Sequence, residues 1–338
     1  MTAAHPTDGI RVLHSLRPPD GTTRYVDQMI ATAPPEVSVR TFSWPRALVG
    51  SYDVFQLHWP ESLVRHPTRL GSAVKRFLTR MLLLRLWATR TPLVRTAHNL
   101  APHEAGDPGE RRLLAALDRR TAHWIALNPT TELPPGAASS VILHGHYRDR
   151  FGRHDGPPVP GRVLQFGMIR PYKGVDRLID TFTALDRPDL SLRIVGKPID
   201  DAMRREVETR AARDARVTLS LSFVPDDTLA REVCAAELVV LPYRELHNSG
   251  VALVALSLDR PVLMPRTPSS EALRGEAGTE WVLLFDGDLT AQALEAAVDR
   301  AAATVRSGGS PDLRGRDWDT VGRRHADVYR RVLSRTRS

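Results

Sequence analysis

The chain of 338 residues is 42% hydrophobic and 25% charged, which excludes a disordered or collagen-like polymer and suits two domains of roughly 100–200 residues each. The longest apolar run, Met81-Leu82-Leu83-Leu84, stops at Arg85, far short of the ~20 residues that span a bilayer; the polar start Met1–Asp8 lacks a signal-peptide core, so a cytoplasmic chain is expected, and the single cysteine, Cys234, excludes a disulfide framework or a cysteine-based zinc site. Basic residues number 47 against 39 acidic, and only Lys75, Lys173 and Lys197 among them are lysine, an excess that favours anionic partners.

Strands and helices alternate along the first half. Ile10–His14 reads as a short apolar strand, the Asp20-Gly21 turn precedes a helix over Thr22–Ala33, and Val37–Phe42 and Asp53–His58 read as strands. A long helix is predicted over Thr68–Ala88, then a strand at Pro92–Thr96, a helix at Glu110–Arg120 and strands at His123–Leu127 and Val141–His144. The Gly- and Pro-rich stretch 152–161 has no periodicity and reads as a linker. Beyond it the alternation restarts, with strands at Arg162–Phe166, Ser191–Val195, Val217–Leu221, Leu238–Leu241, Pro261–Met264 and Trp281–Phe285. Helices fall between them, and a final helix covers 318–338. The expectation is an α/β chain of two doubly wound Rossmann-like domains, 1–151 and 162–317, facing a cleft, with the last helix returning toward the first domain. Ligands in such sheets bind beyond the carboxyl ends of the strands.

The sharpest motif is Gly167-Met168-Ile169-Arg170-Pro171-Tyr172-Lys173-Gly174, directly after a buried strand and before a helix. Glycine at the strand end lets backbone approach a ligand, the helix start offers amide N–H groups, and Arg170 and Lys173 add two cations. That combination describes a diphosphate site rather than an ordinary turn with solvated cations. Lys197 follows the next strand in Val195-Gly196-Lys197-Pro198. A second helix start, in the run Glu245-Leu246-His247-Asn248-Ser249-Gly250, follows the strand Leu238–Leu241 and offers further amides, with Asn248 or Ser249 as its cap.

As a set, the Gly–Lys–Gly loop, the Val-Gly-Lys turn, the Ser-Gly helix start and Arg260-Pro261-Val262 resemble the GT-B glycosyltransferases related to glycosyltransferase family 4 (glycosyl transferases group 1). The resemblance implies a donor diphosphate held by Arg170 and Lys173, with Gly167, Gly174, Lys197, Glu245, Asn248, Ser249 and Gly250 around the nucleotide. Met168 stands where the family usually has an arginine. Val254 stands at the position of the glutamate that usually holds the donor ribose, and the family's earlier glutamate position falls near Leu246–His247; Glu245 is the acidic residue left in that loop. The first half resembles the acceptor domain of the same fold. Its Gly21 loop lines the cleft there, and His98 of Thr96-Ala97-His98-Asn99 takes the place of a histidine beside the donor sugar. Asn99, His103 and Glu104 follow on the same loop, and Gln56-Leu57-His58-Trp59-Pro60-Glu61 ends a neighbouring strand.

The expected reaction is metal-independent transfer of a sugar from a nucleoside-diphosphate donor, UDP or GDP not distinguished, to a glycan, lipid-linked or small-molecule acceptor, with no separate cofactor. Arg170, Lys173, Lys197 and helix amides would steady the leaving diphosphate. An inverting enzyme would take its base from Glu61, Glu104 or Asp20, and a retaining one would need none. His58, His98 and His103 lack the close spacing of a helical metal pair. In Val74–Arg90, the residues Val74, Phe77, Leu78, Met81 and Leu84 share one helical face, while Lys75, Arg76 and Arg80 lie elsewhere. That face reads first as the side packed on the sheet, and second as a peripheral contact with the inner face of an anionic membrane. Two alternatives stand beside the transferase: a sugar-nucleotide epimerase of the same fold, and, ranked last, a basic nucleic-acid-binding protein.

Overall fold

A computed structural model describes residues 9–18, 24–98, 106–152, 156–243 and 250–337. They form two compact units, Met1–Gly145 with Gly315–Ser338, and His146–Arg314. The first contains β1 (Ile10–His14), α1 (Arg24–Ala31), β2 (Val37–Arg40), α2 (Trp44–Val49), β3 (Val54–Leu57), α3 (Arg69–Ala88), β4 (Leu93–Ala97), α4 (Pro108–Arg120), β5 (Thr121–Ala126) and β6 (Ser139–Val141). The second follows with α5 (Arg148–Phe151), β7 (Arg162–Phe166), α6 (Val175–Thr183), β8 (Ser191–Val195), α7 (Asp201–Ala211), β9 (Val217–Ser220), α8 (Asp226–Cys234), β10 (Leu238–Val240), α9 (Gly250–Ser257), β11 (Val262–Pro265), α10 (Pro268–Ala277), β12 (Val282–Phe285) and α11 (Ala291–Ser307). The last helix, α12 (Trp318–Arg337), is part of the first unit.

Each unit holds one six-stranded parallel sheet, ordered β2-β1-β3-β4-β5-β6 and β12-β11-β10-β7-β8-β9. In both, the order reverses beside the first strand, which is where a doubly wound sheet opens its ligand crevice. Alternation along the strands sorts side chains onto two faces. In the first unit, Val12, Val54, Val94 and Ile125 pack against Trp318, Val321, Tyr329 and Val332 of α12, whereas Leu13, Phe55, Leu57 and Leu93 pack against Leu82 and Leu86 of α3 and Leu117 of α4. The C-terminal helix thus covers one face of the sheet, and Arg330 anchors it through an ion pair to Glu36 at 2.6 Å.

The stretch 156–161 runs within the second unit, where the Val159 N–H bonds the Ala235 carbonyl at 2.9 Å and the Gly161 N–H bonds Glu237 at 2.7 Å. The unit boundary lies at Gly145/His146. Short α2, with Ser43 as its cap and Pro45 in its first turn, occupies residues that carry no helical period long enough to read.

The face of α3 differs from its first reading. Thr79, Leu82 and Leu86 are its buried residues. Leu70, Val74, Phe77, Met81 and Leu84 are exposed, Phe77 by 57% and Leu84 by 54%, with Leu78 half-buried. The run Met81–Leu84 supplies apolar residues to both sides, so the period alone did not choose the inward one. Among the described residues no helix is long and apolar enough to cross a membrane.

Candidate active site

In the second unit, the loop after β7 is built by three close backbone approaches. Its Ile169 N–H bonds the Lys197 carbonyl at 2.9 Å and the Ile199 N–H returns to the Ile169 carbonyl at 3.0 Å, so the loops after β7 and β8 lie side by side. Gly196 permits this, since a Cβ there would overlap the Gly167 carbonyl oxygen. Gly174, at φ +63°, passes against the Pro242 carbonyl in the same way. The loop after β10 is thereby brought to the start of α6, whose first N–H groups have no intrahelical acceptor.

Lys173 sits in the middle of this arrangement and is only 8% exposed. Its Nζ lies 5.3 Å from the centre of the Tyr243 ring. Among the described residues no carboxylate pairs with it. Burial, reinforced by the charge of Arg170, pushes its pKa down to about 8. An amine held out of water beside an aromatic face, without its own anion, is prepared for one that arrives. Arg170 is half-buried and its Nε contacts the Met168 sulfur at 3.2 Å; Lys197 is exposed. Gly250 opens α9, in which Val254 is buried in the core. Of the residues expected at this site, Glu245, Asn248 and Ser249 lie outside the described residues.

The first unit collects a second group of side chains at the carboxyl ends of its central strands. His14 ends β1, His58 follows β3 and His98 follows β4, and these three strands are neighbours in the sheet. The rings join in a row: His14 Nδ1 lies 3.1 Å from His58 Nε2, and His58 Nδ1 lies 3.0 Å from His98 Nε2. Ser15 clamps the centre, its hydroxyl accepting the His58 N–H at 2.7 Å and donating to the His58 carbonyl at 2.9 Å. Trp59, held at φ +35°, stacks on His98 at 4.1 Å between ring centres. Tyr25 meets His98 edge-on at 5.1 Å and His144 at 4.8 Å. Burial holds the pKa values of His14 and His98 down at about 3 and that of His144 at about 4, and carries His58 well below the ordinary histidine range. All four imidazoles are therefore neutral at physiological pH.

Glu61 is half-buried, and its charge offsets part of the burial that lowers the Arg95 pKa to about 10. Glu104 and Gly21 lie outside the described residues, as do Asp20, Asn99 and His103. Beside Trp59 a cavity of about 540 Å³ opens in the same unit, lined by Phe42, Trp44 and Trp59 on its aromatic side and by Arg17 and Lys75 on its cationic side. Among the described residues no three His, Cys, Asp or Glu side chains converge on a metal position. Sequence reasoning named His98 and Lys173 and carried His58 and Trp59 inside a strand-end motif without giving either a role; it missed His14 and the part Tyr243 plays beside Lys173. Its available signal was the recurrence of histidine at successive strand ends.

Comparison with known proteins places these features in a family context. A family model described as glycosyl transferases group 1 matches residues 160–303. A GDP-mannose:glycolipid 4-beta-D-mannosyltransferase from Xanthomonas campestris pv. campestris is 46% identical over 337 residues, spanning 99% of this chain and 96% of the relative. Among solved structures, Anabaena HepE in complex with UDP superposes with a TM-score of 0.66 at 15% identity, covering 96% of this chain and 100% of that one. A sucrose-phosphate synthase from Thermosynechococcus elongatus gives a TM-score of 0.64 at 16% identity, with 97% and 100% covered. Neither the epimerase nor the nucleic-acid reading finds support in these matches.

Proposed function

The chain belongs to the GT-B glycosyltransferases of the glycosyl transferases group 1 family, and from that membership we propose that it transfers mannose from GDP-mannose to a glycolipid. It is a hexosyltransferase that uses a nucleotide-sugar donor. The finer reading is carried by one observation, the 46% identity over nearly the whole chain to a transferase of that name.

The donor diphosphate rests on the loop after β7, where Lys173 and Arg170 oppose the negative charge that grows as the nucleotide leaves, with the amides at the starts of α6 and α9 and exposed Lys197 adding to it. Among the described residues no carboxylate pairs with Lys173, so it is available to an arriving diphosphate without breaking an ion pair there. With Val254 in the core, the donor ribose takes no contact from that position. GDP-mannose carries its sugar in α linkage, so a β product requires inversion and a base on the opposite face. His98, stacked under Trp59 at the end of β4, and Glu61, whose charge reaches Arg95, are the described side chains nearest that role. The first unit takes the acceptor. Its aromatic cavity suits sugar rings, and Arg17 and Lys75 suit an anionic carrier.

A lipid-linked acceptor also gives a use to α3. That helix contains five basic and no acidic residues, and shows Leu70, Val74, Phe77, Met81 and Leu84 to solvent. Such a face lies on an anionic bilayer, apolar side chains inward and cations at the headgroups. The enzyme works peripherally on the inner face of the membrane, beside its acceptor.

Nucleotide release tests the assignment. With GDP-mannose and a glycolipid extract, GDP should appear only when both are present, and UDP-sugars should not substitute. Equal turnover of UDP-glucose, or full GDP release without acceptor, would refute it.

A further inference from the structure

The cavity beside Trp59 joins two chemistries. Its aromatic lining has Phe42 and Trp44 edge-on at 5.0 Å between ring centres, with Trp59 stacked on His98. Its cationic lining is Arg17 and Lys75. Aromatic faces receive the apolar faces of sugar rings, and cations receive oxyanions. A sugar that carries a negative group uses both.

Both cations have donors to offer. Lys75 Nζ donates to the Ser62 carbonyl at 2.9 Å and to the Arg65 carbonyl at 2.8 Å. An ammonium has three N–H donors, so one remains, and the two carbonyls fix where the charge sits. Arg17 is exposed just after β1 and has no hydrogen bond or ion pair among the described residues. Burial and the charge of Arg17 lower the Lys75 pKa, so the two cations are near enough to oppose each other. Asp27 is the acidic side chain on the described lining, and it has interactions of its own. The charge that reaches Lys75 is that of Arg17. An arriving anion relieves the repulsion between the two cations, and a neutral ligand leaves it in place.

We propose that Arg17 and Lys75 bind an oxyanion of the acceptor, beside the sugar ring to be extended, and that this pair makes the enzyme select acidic glycolipids over neutral ones. The proposal rests on the reading of the first unit as the acceptor side and adds the substrate class. Trp59 ties the site to the reacting end, because the same ring lines the cavity and stacks on His98. At about 540 Å³ the cavity has the size of a small-ligand pocket, so the anion lies close to that ring. It has two sources within one acceptor molecule. A carboxylate on the sugar itself arrives with the ring. A phosphate of the lipid carrier arrives from α3, where exposed Leu70 and Val74 precede Lys75.

Calorimetric binding to the full chain in excess GDP tests it, since GDP occupies the cations of the second unit. The probes share one ring: octyl glucoside, octyl glucuronide and the octyl ester of glucose 1-phosphate, each below its micelle concentration. At least one acidic probe should bind about 10-fold or more tighter than octyl glucoside, the effect of one charge-assisted contact. A preference for the glucuronide assigns the anion to the sugar, and a preference for the phosphate ester assigns it to the carrier. Arg17→Met should lose the preference while keeping wild-type urea unfolding and GDP affinity, as an exposed residue without partners allows. Lys75 also holds two carbonyls, so Arg17→Glu is the second variant in place of a Lys75 substitution, and it should bind the neutral probe best. Equal affinity of wild type for the three probes, no binding of either acidic probe at millimolar concentration, or an acidic preference that Arg17→Glu retains would overturn the proposal. Failure to transfer mannose to any glycolipid would instead remove the transferase reading and leave the binding result standing.

Discussion

Replacing Lys173 by methionine should weaken donor binding while strengthening the fold, and the opposite signs make it a sharp test. The lysine is 8% exposed with no paired carboxylate among the described residues, and its pKa falls from 10.5 to about 8. At about 1.36 kcal/mol per pH unit, holding that charge costs the empty protein about 3 kcal/mol. At pH 7 both folded and unfolded lysine are protonated, so the cost is fully present. Between pH 8 and 10.5 the folded amine deprotonates first, and stability rises with pH. Lys173→Met removes the cost and keeps the packing against Tyr243, so at pH 7 it should gain up to about 3 kcal/mol. Donor affinity should fall by about 10- to 150-fold, the loss of one charge-assisted contact at about 1.5–3 kcal/mol. Urea unfolding of the empty protein reads the first effect and calorimetric titration with GDP reads the second. Wild-type affinity for GDP should also decline above about pH 8, where the empty site loses its charge, and the variant should be flat there. A less stable variant that binds GDP as the wild type does would make Lys173 a structural residue and refute the assignment.

Phe77→Asp with Leu84→Asp should leave unfolding within about 0.5 kcal/mol of wild type, as exposed positions do, and abolish cosedimentation with anionic vesicles; undiminished binding would exclude α3 as the contact. Below pH 6.5 the unfolded chain protonates His14, His98 and His144 while the fold keeps them neutral to about pH 3–4, so stability should fall with acid at up to about 4 kcal/mol per pH unit, and urea midpoints level from pH 6.5 to 5 would contradict their burial. Gly196→Ala should destabilise the second unit and lose GDP affinity, because its Cβ meets the Gly167 carbonyl. Gly275→Ala, in α10 with open space around it, should be neutral or stabilising by about 0.5–1 kcal/mol, and equal effects in calorimetry would refute the close approach.

The alternation of strand and helix was legible because inner strands such as β7 (Arg162–Phe166) and β10 (Leu238–Val240) are largely apolar and lead into glycine or proline. Edge and short elements were not. β6 lies at Ser139–Val141, ahead of the apolar Val141–His144, because an edge strand with one exposed side needs little hydrophobicity. For α3 the period identified the helix and left its rotation open, since the sheet accepts Thr79, Leu82 and Leu86 and leaves the more regular stripe outside.

The sites divide along the same line. Lys173 stood out because a local motif placed a rare lysine between two glycines, but its burial depends on Tyr243, 70 positions away. Each histidine of the row was visible at a strand end. Their union was not, because His14, His58 and His98 are separated by 44 and 40 residues and meet only through the strand order β1-β3-β4. Once that order is known the distances follow, since neighbouring strands about 4.8 Å apart bring equivalent ends to one ring-to-ring spacing, and both ring-centre distances are 5.3 Å. Parallel strands are what make the row possible. An antiparallel neighbour would have put its carboxyl end, and its histidine, at the opposite edge of the sheet.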